Sequence, residues 1–377
     1  MTTNKCKHLL FFSGDITRDG GTERVATMLA NQLATCHCYQ ISILNISMEH
    51  QPPAFPLDSS IETYTLSNHW VSAGPGYLWV LMQMRRFLST HPVDVIIDID
   101  GVLDVLSIPM KKKYHIPIIS WDHFNYDYEK QAFYRPWIRK QTVRHADAIV
   151  TLTTANYADY IANYPHLTKV HCIPNPCVPR DGIKEVHFEQ KCLLSAGHLI
   201  PIKGFHRIVP IVKALLDKDP TLSFQWLIAG QGECYEELKQ QIDAAGLRDY
   251  IRLVGYTSRM DNLYEQSLAY VLLSDCEGLP MVLLEAMAYH LPCVSFDIKT
   301  GPSDIITQHV DGILIPKTED EEENTRAMAD ALYPLLTDEA LYRRYQTQAG
   351  AHMQKFHPST ILRQWMELID TIVETTP

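Results

Sequence analysis

Glu277 and Glu285 stand with seven residues between them in Asp275-Cys-Glu-Gly-Leu-Pro-Met-Val-Leu-Leu-Glu-Ala-Met-Ala288, where an apolar run gives way to a helical one. Val271 to Ser274 reads as the end of a buried strand, Gly278 as a tight turn and Pro280 as the first residue of a helix, where a missing N–H is no loss. The amides around Gly278, Leu279, Pro280 and Met281 then open a helix whose first turn has N–H groups to offer an anion such as a diphosphate. Helical side chains lean toward the N-terminus, so Glu285 is aimed back at that cradle. A carboxylate repels phosphate, and a pair of glutamates there is suited to hydroxyls on either side of it. Hydroxyls, a diphosphate and more hydroxyls describe a nucleotide sugar. A capped helix with both glutamates in water accounts for the same spacing.

The elements that position these residues are legible as a pattern. At 377 residues the chain exceeds one ordinary core and suits two domains. Short apolar strands alternate with amphipathic stretches: Leu9 to Ser13, a helix from Thr22 to Leu33, then Tyr39 to Ile43, Val93 to Ile99, Ile116 to Trp121, Ala148 to Thr151 and His171 to Ile173. A second series has strands near Lys191 to Ala196, Ser223 to Ala229, Ile251 to Val254, Ala269 to Leu273, Cys293 to Phe296 and Gly312 to Ile315. Both series predict an α/β fold with a doubly wound parallel sheet in each of two Rossmann-like domains, whose ligands sit at the carboxyl ends of the strands. The prolines and glycine around 174–182 place the boundary at 178/179. Thr318 with Glu321 reads as a capping box. Pro358 to Val373 reads as an amphipathic helix packed on a domain.

Charge bounds the partners. The net charge of -11 falls on the second half: residues 1–178 hold 15 Lys+Arg and 15 Asp+Glu, the remainder 18 and 29. An acidic half argues against nucleic acid as a partner. Nine cysteines without a C-x-x-C pair fit a reduced compartment, so a cytoplasmic location is expected. Cys36-His37-Cys38 is a weak ligand set, and Asp98 and Asp100 read as strand-end or helix-cap residues, so no metal is expected. No apolar stretch approaches the roughly 18 residues of a membrane span.

Four patches in chain order resemble the family 4 retaining glycosyltransferases of the GT-B fold: Asp19-Gly20-Gly21-Thr22-Glu23-Arg24-Val25; Ile173-Pro174-Asn175-Pro176; Ser195-Ala-Gly-His-Leu-Ile-Pro-Ile-Lys-Gly204; and the Glu277 to Glu285 segment, extended by Gly301-Pro302-Ser303-Asp304-Ile305-Ile306. The resemblance implies two domains facing a central cleft, an acceptor domain over 1–178 and a nucleotide-sugar domain over 179–356, with 357–377 crossing back onto the first. It implies that Lys203 supplies a point charge to the diphosphate, that Glu277 meets the donor sugar and that Glu285 meets the ribose. Gly20 and Gly21 lie where backbone approaches phosphate or sugar, and Gly255 and Tyr256 where the base is flanked. Many members carry Arg where this chain has His198, so a bidentate clamp is replaced by an imidazole. His123 matches a histidine near the reacting sugar, suited to orienting the acceptor or stabilising charge.

From the resemblance follows transfer of a sugar from a nucleoside diphosphate, by default a uridine diphosphate sugar, to a hydroxyl with retention of configuration. No cofactor and no obligatory metal are implied. Between Lys111 and Arg144 eight basic residues against three acidic ones interleave with Phe133, Tyr134 and Trp137, a composition that suits either an anionic membrane surface on the cytoplasmic side or a solvated helix. The membrane version implies a lipid-linked glycan or lipopolysaccharide-type acceptor. Alternatives of other classes are an epimerase of nucleotide sugars with the same fold and a non-catalytic sugar-nucleotide-binding protein. A dinucleotide oxidoreductase is disfavoured, because the first βα turn lacks G-x-G-x-x-G.

Overall fold

Apolar runs too short for helices, set between amphipathic stretches, become two parallel sheets in the computed structural model, which describes residues 6–50, 52–69, 71, 75–127, 133–180, 182 and 188–375. By internal contacts the chain divides into Met1–Pro176 with Pro358–Pro377, and Cys177–His357.

The first unit runs β1 (Lys7–Ser13), α1 (Gly21–Thr35), β2 (Tyr39–Asn45), β3 (Glu62–Thr65), α2 (Pro75–Leu88), β4 (Val95–Asp98), α3 (Asp104–Tyr114), β5 (Ile118–Asp122), α4 (Arg135–His145), β6 (Ala148–Thr151), α5 (Thr154–Asn163) and β7 (Val170–Cys172). Its sheet has the order β3-β2-β1-β4-β5-β6-β7, with every pairing parallel. The order reverses between β1 and β4, so their carboxyl ends frame the switch point where such sheets take ligands. Strand β3, Glu-Thr-Tyr-Thr, escapes the hydrophobic pattern because it is a mostly exposed edge strand.

The second unit runs β8 (Cys192–Ala196), α6 (Ile208–Lys218), β9 (Gln225–Ala229), α7 (Tyr235–Ala245), β10 (Ile251–Gly255), α8 (Met260–Gln266), β11 (Ala269–Leu272), α9 (Met281–Ala288), β12 (Cys293–Asp297), α10 (Pro302–Ile305), β13 (Gly312–Pro316), α11 (Glu321–Thr337) and α12 (Glu339–Ala349). Its parallel sheet is ordered β10-β9-β8-β11-β12-β13, reversing between β8 and β11. Leu193, Trp226, Val271, Val294 and Phe296 form its buried centre, with Ile208, Val212 and Leu215 of α6 packed on them.

Helix α13 (Pro358–Thr375) buries Ile361, Trp365, Leu368, Ile369 and Ile372 and belongs to the first unit. Trp365 meets Trp121 of β5 edge-on at 4.7 Å, and Asp370 accepts from Lys7 at 2.8 Å and from Tyr39 at 3.0 Å. The amphipathic stripe at the chain's end is thereby buried.

Candidate functional site

Lys203 closes a short 3-10 turn, Pro201–Lys203, beyond β8. Gly204 follows with φ +69°, and a Cβ there would overlap the carbonyl oxygen of Leu273, just past the end of β11. Only glycine lets this turn close onto the strand end. The Asp275 amide donates to the Ile202 carbonyl at 2.8 Å, tying the same segments. Lys203 Nζ therefore reaches both carboxylate oxygens of Glu277, at 2.7 and 2.8 Å, and Ser274 Oγ donates to Oε1 at 2.7 Å. With the Glu277 side chain 9% exposed and that of Lys203 27%, the pair is partly withdrawn from water yet reachable.

Beneath it lies a second network that the sequence reading did not single out. Arg207, 5% exposed, grips Glu321 at the start of α11 in a two-pronged pair of 2.8 and 2.7 Å and donates to the Leu273 carbonyl at 3.0 Å. It also lies 2.8 Å from Asp275, which meets Lys317 at the same distance. The guanidinium hydrogen bonds hold the Glu321 carboxyl below its ordinary range. Glu321 is thus an ion-pair partner and not the second half of a capping box. The N-cap of α11 is Asp320, whose carboxylate accepts from the amides of Glu322 and Glu323 at 2.8 and 3.1 Å.

The helix carrying the second glutamate begins one residue later than the sequence suggests. Pro280 has an extended ψ of 101° and is the N-cap, with Met281 as the first helical residue. The turn before it is set by Gly301, φ +100°, where a Cβ would come within 2.6 Å of the Gly278 carbonyl oxygen and collide with the Pro280 ring. Thr300 Oγ1 donates to the Glu277 carbonyl at 2.5 Å, so the Gly278-Leu279-Pro280 turn is pinned from the β12 side. Glu285, fifth residue of α9, accepts from the buried Tyr264 hydroxyl at 2.8 Å.

The remaining expected donor-side residues are placed singly. His198 is exposed, in a loop braced on Gly230-Gln231-Gly232 by the Leu199 amide donating to Gln231 at 2.8 Å. Gly255 ends β10 with φ +76°, and Tyr256 beside it is 65% exposed.

Gly20, Gly21 and His123 belong to the first unit. Gly20 is the N-cap of α1, and a Cβ added at Gly21 would meet nothing within 4 Å, so space is open at this helix start. His123 follows β5, buried against Trp121 with ring centroids 4.5 Å apart. Its Nε2 is buried and has no hydrogen-bond partner among the described residues, and burial pushes its pKa down to about 3. The ring is therefore neutral at working pH, which leaves hydrogen bonding and removes charge stabilisation as its means of action.

The same unit holds a buried acid cluster. Asp98 ends β4 and accepts from Ser107 at 2.6 Å; Asp104 accepts from Ser120 at 2.7 Å and also from Thr142. Burial raises both carboxyls, Asp104 to about 6, and protonated Asp98 donates to Asp104. Asp100, also raised by burial to about 6, caps the turn Gly101–Leu103 through the Val102 amide at 3.0 Å. Asp122 accepts from Tyr160 at 2.8 Å. Strand-end and cap roles therefore describe Asp98 and Asp100.

The family model "Glycosyltransferase Family 4" matches residues 19–179 and the model "Glycosyl transferases group 1" residues 182–352. An uncharacterized glycosyltransferase of Haemophilus influenzae is 28% identical over 96% of this chain and all of its own. An α-1,4-N-acetyl-D-galactosaminyltransferase of Campylobacter jejuni, named for a diNAcBac-PP-undecaprenol-linked glycan, is 27% identical over 93% of this chain and 95% of its own. Among solved structures, the Anabaena protein HepE in complex with UDP and glucose superposes with a TM-score of 0.76, covering 96% of this chain and 99% of that one at 18% identity. Two parallel sheets, the Lys203–Glu277 pair and two family models that between them span most of the sequence lead to one assignment: this chain belongs to the family 4 glycosyltransferases of the GT-B fold.

Proposed function

We propose that the chain transfers a sugar from a nucleoside-diphosphate sugar, a UDP-sugar by preference, to a hydroxyl of a glycan or lipid-linked glycan, with retention of configuration. The observation that carries this reading is the Lys203–Glu277 pair before the N-terminus of α9, with Glu285 oriented by Tyr264 on that helix. An ammonium and helix amides suit a diphosphate, while two carboxylates suit hydroxyls of sugar and ribose. The UDP and glucose bound by the Anabaena neighbour and the undecaprenol-linked acceptor in the Campylobacter relative's name support donor and acceptor class.

In this reaction the bond from the anomeric carbon to the phosphate oxygen breaks as the acceptor oxygen attacks the same face. The acceptor proton passes to the departing phosphate. Negative charge grows on the diphosphate, and in this reading Lys203, His198 and the first-turn amides of α9 meet it there, favouring the transition state over the ground state. Glu277 fixes the lysine and accepts from sugar hydroxyls. The neutral His123, with its unmet Nε2, orients a hydroxyl of the acceptor or sugar. The counter-charge comes from the chain itself, and the reaction is written without a metal.

A thermal-shift panel of nucleotide sugars, followed by turnover of the best stabiliser with glycan and lipid-linked acceptors, tests the proposal, since a ligand of the native state raises its midpoint. Release of nucleoside diphosphate with a glycosylated product supports it. Conversion of the donor sugar without any acceptor would replace it with epimerisation, and binding without turnover would leave a binding protein.

A further inference from the structure

We propose that Arg207 and Asp275 are positioning residues of the donor site, which hold the two backbone segments carrying Lys203 and Glu277 in the register at which that pair meets a diphosphate. The proposal deepens the functional reading of the Lys203–Glu277 pair and rests on it. Glu277 lies in neither a helix nor a strand, since β11 ends at Leu272 and α9 begins at Met281. Neither the sheet's ladder nor the helix's own bonds fix it, so its placement falls to specific side chains.

Two residues tie the segments crosswise. Arg207 belongs to the Lys203 segment: it ends the turn Phe205–Arg207, and its amide donates to the Gly204 carbonyl at 3.0 Å. Its guanidinium crosses to the other segment, donating to the Leu273 carbonyl at 3.0 Å and lying 2.8 Å from the Asp275 carboxylate. Asp275 returns the tie, its amide donating to the carbonyl of Ile202, the residue before Lys203, at 2.8 Å. A Cβ at Gly204 would strike both the Leu273 carbonyl oxygen and Arg207 Nη1, so turn, strand end and guanidinium are in mutual contact. Lys203 is bracketed by tied residues, and Glu277 stands two positions beyond one.

The Arg207 side chain is buried, with the Glu321 fork behind it and the Phe296 ring of β12 5.7 Å away. A guanidinium so enclosed acts on the donor through the residues that it holds. Lys317 also lies 2.8 Å from Asp275, so Lys203, Arg207 and Lys317 stand against Glu277, Asp275 and Glu321 in a balanced network. That balance separates two roles for Asp275 by sign. If the network served only to supply positive charge, removing this carboxylate would leave Arg207 and Lys317 less neutralised and the departing diphosphate better stabilised. If Asp275 sets register, the same change loosens Lys203 against Glu277 and slows transfer, since a misplacement of about 1 Å costs on the order of 100-fold. Ties one or two residues from each member of the pair point to register.

Steady-state transfer by the full chain, with the nucleotide sugar that stabilises it best, tests this in Asp275→Ala alone and combined with Lys203→Ala. The single variant keeps its amide bond to Ile202 and is expected to lower kcat by about ten-fold or more, with donor KM changed by less than about three-fold, because the lost interaction is realised in the transition state. In the Lys203→Ala background the same substitution should change kcat by less than about two-fold, as no ammonium remains to be positioned. A purely structural role gives equal factors in both backgrounds. Arg207→Lys, which keeps a cation without the fork, should show the same pattern at smaller amplitude, and thermal midpoints establish that each variant is folded. A kcat unchanged or raised in folded Asp275→Ala, a rise in donor KM alone, or equal losses in both backgrounds would overturn the proposal. Wild-type protein that turns over no nucleotide sugar faults the functional reading itself, whereas wild-type turnover beside additive variants faults the positioning alone.

Discussion

The two units hold carboxylates near the carboxyl ends of their sheets by opposite means. In the first, Asp98 and Asp104 are fully enclosed among hydroxyls and meet each other, so burial is tolerated by holding a proton. In the second, Glu277, Asp275 and Glu321 meet Lys203, Arg207 and Lys317 as ion pairs. The first arrangement lowers charge and stiffens a scaffold. The second keeps opposite charges at close range beside a helix N-terminus, which is what a ligand carrying both phosphates and hydroxyls requires.

Breaking the charged network should produce the largest effect. Lys203→Ala and Glu277→Ala are each expected to lower transfer by about 10²–10³-fold, the scale for removing a donor to developing charge or its anchor, with circular dichroism unchanged. Near-normal rates in both would move the site elsewhere. Arg207→Met removes the central cation and leaves the Leu273 carbonyl unmet beside the solvent-screened Glu321 and Asp275, so unfolding should become easier by about 1–3 kcal/mol, read from denaturant midpoints. Arg207→Lys should recover only part, since an ammonium cannot reproduce the fork.

The proton-holding cluster responds to pH instead. With Asp104 raised to about 6, the folded chain retains a proton that the unfolded chain loses near pH 4, so this contribution is complete at low pH and is lost as pH rises through about 6. Its full span is about 2–3 kcal/mol. Asp98→Asn supplies a permanent donor to Asp104, and its midpoint should fall less than the wild type's between pH 5 and 7.5 (roughly the window in which the pair titrates). Parallel slopes would show that the two carboxyls do not share a proton. The smallest effect is expected from Tyr264→Phe, which removes one hydrogen bond to the Glu285 carboxylate. Donor affinity measured by calorimetry should weaken by about ten-fold, as for a bond to a charged group, with stability little changed.

The parts of this comparison that sequence made legible are those written in local patterns. Strands and helices of both units follow from apolar period and glycine punctuation, and Glu277 and Glu285 from their spacing around a turn. The Lys203–Glu277 pairing joins residues 74 apart and becomes visible only when β8 and β11 lie side by side. Arg207 looks like the polar start of an apolar helix, and Glu321 like half of a capping box; only tertiary packing closes them together with Asp275, though their opposite charges were a usable signal. Asp320 overrode Thr318 as N-cap because two candidate caps stood two residues apart and local pattern does not choose between them. Leu78, Trp79 and Met82 read as core by type, and their exposure depends on which side of α2 meets the sheet.

The central claim is that α9 presents Glu285 to the ribose of a nucleotide whose diphosphate sits at its N-terminus. Titration calorimetry of wild type and Glu285→Gln with UDP and with its 2′,3′-dideoxy analogue addresses it directly. The wild type should prefer UDP by about ten-fold or more, the scale of a hydrogen bond to a charged group, and the variant should bind both nucleotides alike, at the level of the wild type with the dideoxy analogue. Equal affinity of the wild type for the two, or an undiminished preference in Glu285→Gln, would contradict the account.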